Sequence, residues 1–336
     1  IFMIIQPGIS LPQGVRDILP DEAKKIGAVE SRILSVFEAH GFKKVITPLL
    51  EYVEVLSLGM GENLKDRVLK FIDPSTGRVV AIRPDITPQI ARLVATRMRD
   101  FALPLKLCYN ENVLRYQEPR GGKSREVLQI GAEYISGKAE PQADAEMIIM
   151  AIEALKKLGV KSFKIDIGDV GFLRAILNRL SVTEEARMVI KETIAIKDTS
   201  GLDSVLAALG ASIGERDRKL LLNLTTFYGE DEVIEKALSF SDDEDARASL
   251  NHLQRVVGII AESGLNAFVT IDLGEFRGFD YYTGIIFEGF AVGVGKPILS
   301  GGRYDTLLER YGYRCAATGF AFDMENIVSA LERIQG

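Results

Sequence analysis

The chain has 336 residues, of which 47% are hydrophobic and 26% are charged, and its formal net charge is -6. These proportions are typical of a folded globular protein and exclude a disordered chain, which lacks the apolar surface needed to offset its conformational entropy. No uncharged apolar run approaches the ~18 residues of a membrane span, and the acidic balance gives no support to nucleic-acid binding. At about 150 residues per domain, this length predicts two units, or one large unit with an insertion.

Two cysteines and two histidines leave little room for redox or metal chemistry. Cys108 and Cys315 lie far apart without CxxC spacing, which argues against a disulfide framework or a zinc site and favours a reducing cytoplasm. His40 precedes Gly41 at the predicted end of a helix, and His252 lies within a charged helical stretch. The sequence therefore predicts a cytoplasmic protein with no metal and no other cofactor.

The first half of the chain is predicted to alternate helices with strands. Apolar residues from Asp21 to His40 recur with helical spacing, and Gly41 ends that helix. Thr87 and Pro88 predict another helix start, with the threonine as N-cap and the proline at the first helical position. Further helices are expected at 87–98 and 142–158, and strands at 45–47, 68–73, 78–83, 106–116, 126–136 and 163–167.

The second half changes character at about residue 172. Residues 172–263, called the helical insertion from here on, are predicted to form a run of helices. Strand character returns at 269–273, 283–290 and 298–301, and a last helix is expected at 324–334. The pattern predicts an α+β fold, an antiparallel sheet flanked by helices, in which residues 10–171 and 264–336 form one core around the helical insertion.

One predicted strand, 126–136, carries polar side chains on one face. Alternation places Gln129, Gly131 and Glu133 together, which predicts either the polar floor of a ligand site, with the glycine leaving room, or a solvated sheet face. Arg115 lies on the neighbouring strand just before the polar loop 117–125, and Lys123 and Arg125 lie at the far end of that loop. The three cations around two glycines predict either an anion cradle or a solvated hairpin loop.

Three other segments contain residue types that bind ligands. In RGFDYYTG from Arg277, the guanidinium could hold a carboxylate and the phenols could hold polar ligand atoms. In RPDIT from Arg83, Asp85 either contacts a ligand or caps the local turn. SGGRYD from Ser300 indicates close backbone packing or ligand approach at a strand end.

Taken together, these segments resemble the catalytic core of class II aminoacyl-tRNA synthetases, and histidyl-tRNA synthetases in particular. The matching segments are RPDIT from Arg83, LRYQEPRGGKSREVLQIGAE from Leu114, RGFDYYTG from Arg277, SGGRYD from Ser300 and TGFAFDMENI from Thr318. The resemblance implies a six-stranded antiparallel sheet, a helical insertion before RGFDYYTG, and dimerisation through the first helix and the strand that follows it.

The resemblance also implies a histidine-binding site. Its residues would be Asp85, Thr87, Arg115, Gln129, Glu133, Arg277, Tyr281 and Tyr282. Asp85 stands where the synthetases have a glutamate that contacts the ligand ammonium. Gln129 and Glu133 would line the floor, the two tyrosines would face the imidazole, and Arg277 would lie near the carboxylate.

The ATP site of the synthetases is not preserved in this chain. Arg115 matches their first phosphate-binding arginine, but Asn326 replaces the second, Asp323 replaces a glycine, and Gln117 replaces the glutamate that recognises adenine. Adenylate formation needs cations on the phosphates, and a carboxylate there repels them, so no aminoacylation and no catalytic residue are expected. The chain also ends ten residues after Asn326 (336 minus 326), so no anticodon-binding domain is expected.

A histidine pocket without ATP chemistry resembles the regulatory subunits of ATP phosphoribosyltransferase. That resemblance implies a cytoplasmic hetero-octamer with a short catalytic subunit, acting at the first step of histidine biosynthesis and inhibited by histidine, with no tRNA and no membrane as partners. Two alternatives stay open: a truncated histidyl-tRNA synthetase and a free-standing histidine-binding sensor.

Overall fold

The computed structural model describes residues 10–61, 68–116, 124–275 and 281–332. The strands are β1 (Lys43–Lys44), β2 (Leu50–Tyr52), β3 (Lys70–Ile72), β4 (Val79–Ile82), β5 (Leu105–Leu114), β6 (Glu126–Ser136), β7 (Phe163–Asp169), β8 (Tyr228–Gly229), β9 (Val269–Asp272), β10 (Ile285–Ala291), β11 (Leu299–Arg303) and β12 (Ala316–Asp323). The helices are α1 (Pro20–Ala39), α2 (Val53–Gly59), α3 (Thr87–Arg97), α4 (Pro141–Leu158), α5 (Val170–Arg179), α6 (Glu184–Ala195), α7 (Thr199–Leu209), α8 (Glu215–Leu224), α9 (Glu232–Phe240), α10 (Glu244–Glu262) and α11 (Met324–Glu332).

A nine-stranded sheet forms the centre of the fold, in the order β1-β5-β6-β12-β11-β10-β7-β9-β8. Its six central strands, from β5 to β7 in that order, pair antiparallel throughout. β1 joins one side parallel to β5, and β9 joins the other side parallel to β7. The α+β class and the six-stranded antiparallel sheet are thus confirmed, and β2, β4 and β3 form a small separate sheet.

Helices cover the sheet with their apolar faces. α1 buries Val29, Ile33 and Phe37, and the Phe37 ring lies 5.7 Å from that of Phe320 on β12. α4 packs beside α1, and α10 packs against both α4 and α5. One continuous apolar cluster therefore joins the helical insertion to the central sheet and to the helices that cover it. Leu253 of α10 is one of its residues.

Two local predictions were wrong, and both errors have tertiary causes. The strand expected at 45–47 is found two residues earlier, as β1 (Lys43–Lys44). The backbone of Thr47 bonds to side chains instead of to a strand: its N–H donates to Glu111 Oε1 at 3.0 Å, and its carbonyl accepts from Arg83 Nη1 at 2.9 Å. Thr87 is the first residue of α3 rather than its N-cap, because its hydroxyl donates to Glu133 across the chain. The prediction also missed β12, a central strand.

Several features bear on redox, metal and membrane chemistry. Cys108 and Cys315 are both buried free thiols. No group of His, Cys, Asp and Glu side chains suited to a metal ion occurs among the described residues. Within the same ranges, no helix has both the length and the apolar character that crossing a membrane requires.

We expect a glycine-to-alanine substitution to have opposite effects on stability at two positions, one just after a helix and one within a helix. Gly159 follows α4 with a φ of 86°, where a side chain is strained, so Gly159→Ala should lower the free energy of unfolding by about 1 kcal/mol. Gly258 lies within α10 with open space around its would-be Cβ, so Gly258→Ala should raise it by about 0.5–1 kcal/mol. Urea unfolding of both variants measures the difference, and equal effects would contradict the αL cap.

Candidate functional site

A pocket with a volume of about 470 Å³ opens over the central strands. It is lined by Asp85, Thr87, Arg115, Ser124, Val127, Gln129, Tyr281, Tyr282, Lys296, Pro297, Leu299, Ser300, Tyr304, Gly319, Phe320, Ala321, Phe322, Asp323, Glu325 and Asn326. The structure thus brings together eight of the eleven sequence-predicted site residues, and Glu133 lies directly beneath them. The other two, Arg277 and Gln117, lie outside the described residues.

The floor of the pocket is built around the buried carboxylate of Glu133, which is 1% exposed. Thr87 Oγ1 donates to its Oε1 at 2.7 Å, Tyr109 OH donates to the same oxygen at 3.4 Å, and Tyr304 OH donates to Oε2. The pKa of Glu133 is raised to about 8, mainly by burial and to a lesser extent by the nearby Asp85, while the three hydroxyl donors oppose the rise.

Glycines allow this floor to pack closely. Gly319 on β12 lies opposite Glu133 in the sheet, and a Cβ there would collide with Glu133 Oε2. Gly131 on β6 lies opposite Tyr109, whose hydroxyl occupies the place of the missing side chain. The room that Gly131 was expected to leave for a ligand is therefore filled by a phenol that bonds Glu133.

A second acidic group, Asp85, stands at the pocket wall. Its Oδ1 accepts from the Ile86 N–H at 3.0 Å and lies 3.8 Å from Arg115 Nη2. Burial raises the pKa of Asp85, and Arg115 and the Gln129 amide oppose that rise. Asp85 therefore lines the pocket while one of its oxygens bonds the adjacent backbone N–H, and its contact with a ligand stays a prediction.

Gln129 leaves one polar atom unsatisfied. Gln129 is 8% exposed, and its side chain forms a hydrogen bond with Asp85. Gln129 on β6 also pairs with Asp323 on β12 in the sheet. Among the residues that the structure describes, its Oε1 has no hydrogen-bond partner. A buried acceptor without a partner carries a desolvation cost that a ligand N–H could remove.

Aromatic rings form the opposite wall. The Tyr281 ring lies 4.3 Å from that of Tyr282 and 6.2 Å from that of Tyr304, between centroids. Burial raises the pKa of all three phenols well above the ordinary range, so they are neutral donors. Sequence reasoning missed Tyr304 as a site residue, although the SGGRYD segment had been identified as a place of close approach.

Comparison with known proteins identifies the family. The histidyl-tRNA synthetase family matches residues 14–327. Over 323 residues the chain is 45% identical to an ATP phosphoribosyltransferase regulatory subunit of Geobacter sulfurreducens, with 96% of this chain and 73% of that protein covered. A regulatory subunit from Geobacter metallireducens is 44% identical, with 96% and 74% covered. The chain belongs to the ATP phosphoribosyltransferase regulatory subunit family.

A solved structure supports the same assignment. A protein from Bacillus halodurans, described as an ATP phosphoribosyltransferase regulatory subunit/histidyl-tRNA synthetase, superposes with a TM-score of 0.89 at 32% identity. The superposition covers 96% of this chain and 83% of that chain. The synthetase-like fold of the regulatory subunit is therefore shared over nearly the whole chain.

The outer half of the pocket has mixed charge. Asp323 Oδ1 accepts from the Asn326 N–H at 3.1 Å, so Asp323 caps the start of α11, and Asn326 Nδ2 donates to the Pro297 carbonyl at 2.8 Å. Burial raises the pKa of Asp323, which Arg115 and Lys296 oppose. Asp323 and Asn326, which the sequence comparison placed at a degraded ATP site, are thus both bonded within the local structure.

A buried ion cluster behind the pocket fixes Tyr304. Arg303 Nη2 and Nε lie 2.8 and 3.0 Å from Oδ2 of Asp144, which is fully buried, and Arg303 Nη1 lies 3.0 Å from Asp305 Oδ1. His252 Nε2, from the helical insertion, lies 2.7 Å from the same Asp144 oxygen. Both neighbours of Tyr304 in the chain are therefore held, and His252, for which the sequence suggested no special role, belongs to this support.

The raised pKa of Glu133 predicts a pH-dependent stability difference. Because the folded pKa of about 8 exceeds the ordinary value of 4.5, the stability that Glu133 contributes is fully present below pH 4.5 and is lost as the pH rises to about 8. Relative to wild type, Glu133→Gln should therefore gain stability from pH 5 to 8 in urea unfolding. Glu235→Gln, on an exposed site of α9, is the control. A constant difference for Glu133→Gln would contradict the buried, protonated carboxyl.

Proposed function

We propose that this chain is a non-catalytic regulatory subunit that works with a short-form ATP phosphoribosyltransferase catalytic subunit, at the first step of histidine biosynthesis, and binds free histidine as the feedback signal. The observation that carries the proposal is the pocket itself. Its inner half combines acidic and phenolic groups around an unsatisfied acceptor, while in its outer half two carboxylates offset the two cations that a triphosphate would need.

The inner half suits an amphoteric ligand. Histidine carries an ammonium, a carboxylate and an imidazole. Asp85 would accept from the ammonium, Gln129 Oε1 would accept a ligand N–H, and Glu133 with the surrounding tyrosines would face the imidazole. The cavity of about 470 Å³ is large enough for one free amino acid.

The outer half argues against adenylate chemistry. Catalysis of phosphoryl and adenylyl transfer depends on fixed positive charge along the phosphates. Here Asp323 and Glu325 face the same space as Arg115 and Lys296, and burial together with Asp323 raises the pKa of Glu325. Two carboxylates beside two cations leave little net attraction for a triphosphate, so no aminoacylation and no cofactor are proposed.

The proposed partners follow from the family. We propose a hetero-octamer with the short catalytic subunit, in which copies of this chain pair through α1 and the strand after it, and no role for tRNA or membranes. A cytoplasmic location is proposed as well, with the two free buried thiols as support.

Loss of the floor carboxyl should weaken histidine binding. Glu133→Ala removes the group on which three hydroxyl donors converge and leaves them unsatisfied, so the dissociation constant measured by calorimetry should rise by about tenfold or more. Glu235→Ala is the matched control on α9. Unchanged affinity in Glu133→Ala would place the histidine site elsewhere.

Reconstitution tests the regulatory role. Mixed with a short catalytic subunit, this chain should support phosphoribosyl transfer, and histidine should inhibit that transfer in the wild type but less in Glu133→Ala. A coupling of ~1–3 kcal/mol corresponds to roughly 5–150-fold between the two sites. Failure to assemble with the catalytic subunit would favour a free-standing histidine sensor. Histidine-dependent exchange between ATP and pyrophosphate by the pure chain would identify a truncated synthetase.

A further inference from the structure

The helical insertion contacts the segment between β9 and β10 at both of its described ends. At the first end, Lys197 Nζ donates to both carboxylate oxygens of Asp272, the last residue of β9, and lies 2.6 Å from Oδ2. At the other end, Arg174 Nη2 donates to the main-chain carbonyl of Tyr282 at 2.7 Å. Since Tyr282 lines the pocket, the helical insertion directly holds a pocket residue.

The backbone at Lys197 is strained for a lysine. Its φ is 58°, in the left-handed region, and it is the one non-glycine residue with a positive φ among those that the structure describes. It directly follows the C-cap of α6, a position where helices commonly use glycine or asparagine because a Cβ is unfavourable there. A glycine would reverse the chain without strain, so what the lysine adds is its ammonium.

That ammonium neutralises a buried carboxylate. The Asp272 side chain is 8% exposed, whereas that of Lys197 is 38% exposed. Asp272 Oδ1 also accepts from the Gly274 N–H at 2.9 Å, and its carbonyl accepts from the Glu275 N–H at 3.3 Å. Space is tight here, because a Cβ at Gly274 would lie 3.2 Å from Lys197 Nζ. The first residues after β9 are therefore fixed by a contact from the helical insertion.

The contact at Tyr282 is equally well supported. Arg174 extends from α5, which Asp169 caps by accepting from the Phe172 N–H at 3.0 Å. Burial lowers the pKa of Arg174, and Asp169 opposes that effect. The backbone continues the attachment, since the Val170 N–H donates to the Gly284 carbonyl at 3.0 Å. A charged donor on a neutral carbonyl is among the stronger hydrogen bonds in proteins.

We propose that Arg174 and Lys197 are positioning residues through which the helical insertion sets the affinity of the pocket: Arg174 holds Tyr282 directly, and Lys197 holds Asp272 at the end of β9, the strand that precedes the tyrosine pair in the chain. This proposal rests on the proposed histidine-binding function of the pocket. Neither residue lines the pocket, so each acts through the residue that it bonds, Arg174 through Tyr282 and Lys197 through Asp272.

Four variants test the proposal in the full chain. Lys197→Met and Arg174→Met keep the aliphatic stems and remove the cations. Lys197→Arg and Arg174→Lys keep a cationic donor. Lys236→Met, at an exposed site on α9 in the same helical insertion, is the control. If Lys197→Met does not fold, Asp272→Asn removes the same ion pair with almost no change of shape.

The readouts are hydrogen exchange of peptides covering residues 281–284 and histidine affinity by calorimetry. We expect both Met variants to exchange faster there and to bind histidine about tenfold more weakly, while the charge-keeping variants and Lys236→Met stay near wild type. A purely structural role would lower the melting temperature without this selective loss of affinity.

The outcomes separate this proposal from the proposed function. If wild type binds histidine and the Met variants bind it equally well, the positioning role is overturned. If wild type binds no histidine, the proposed function fails, and the positioning role is then tested by hydrogen exchange alone. Faster exchange at 281–284 in the Met variants than in wild type supports that role, and unchanged exchange overturns it.

Discussion

Burial of one carboxyl group, that of Glu133, sets the arrangement of the whole pocket. An isolated buried carboxylate is costly unless hydrogen bonds satisfy it, and its pKa rises in response. Three hydroxyls from three different parts of the chain converge on it: Thr87 at the start of α3, Tyr109 on β5 and Tyr304 after β11. The absent side chain of Gly319 on the facing strand makes space for the group.

Charge divides the pocket into two halves with different capacities. The inner half has a buried acid, neutral phenols and an unsatisfied amide oxygen, all of which suit a small amphoteric ligand. In the outer half, Asp323 and Asn326 bond to the backbone of α11 and of Pro297, so both side chains are part of the local structure.

Buried ion pairs connect this pocket to the helices around it. Asp144 of α4 bonds to Arg303 of β11 and to His252 of α10, and so joins the helical insertion to the strand beside Tyr304. Lys197 and Arg174 add contacts on the other side, at Asp272 and Tyr282. These contacts are of the kind that a regulatory chain needs, since coupling between sites is carried by packed and bonded elements.

Periodicity and segment composition alone predicted the α+β class, most helices and the strand pair that forms the floor, because hydrophobic spacing is a local property of the sequence. The face of β6 that carries Gln129 and Glu133 followed from alternation, and the motifs around Asp85, Tyr281 and Asn326 indicated the family. Tertiary structure decided what local patterns do not contain. It turned Thr87 from a cap into a partner of Glu133, filled the space at Gly131 with Tyr109, and placed β12 and Tyr304 in the pocket. Each of these depends on a partner distant in the sequence, because the cost of an unsatisfied buried group is settled by whichever side chain the fold brings beside it.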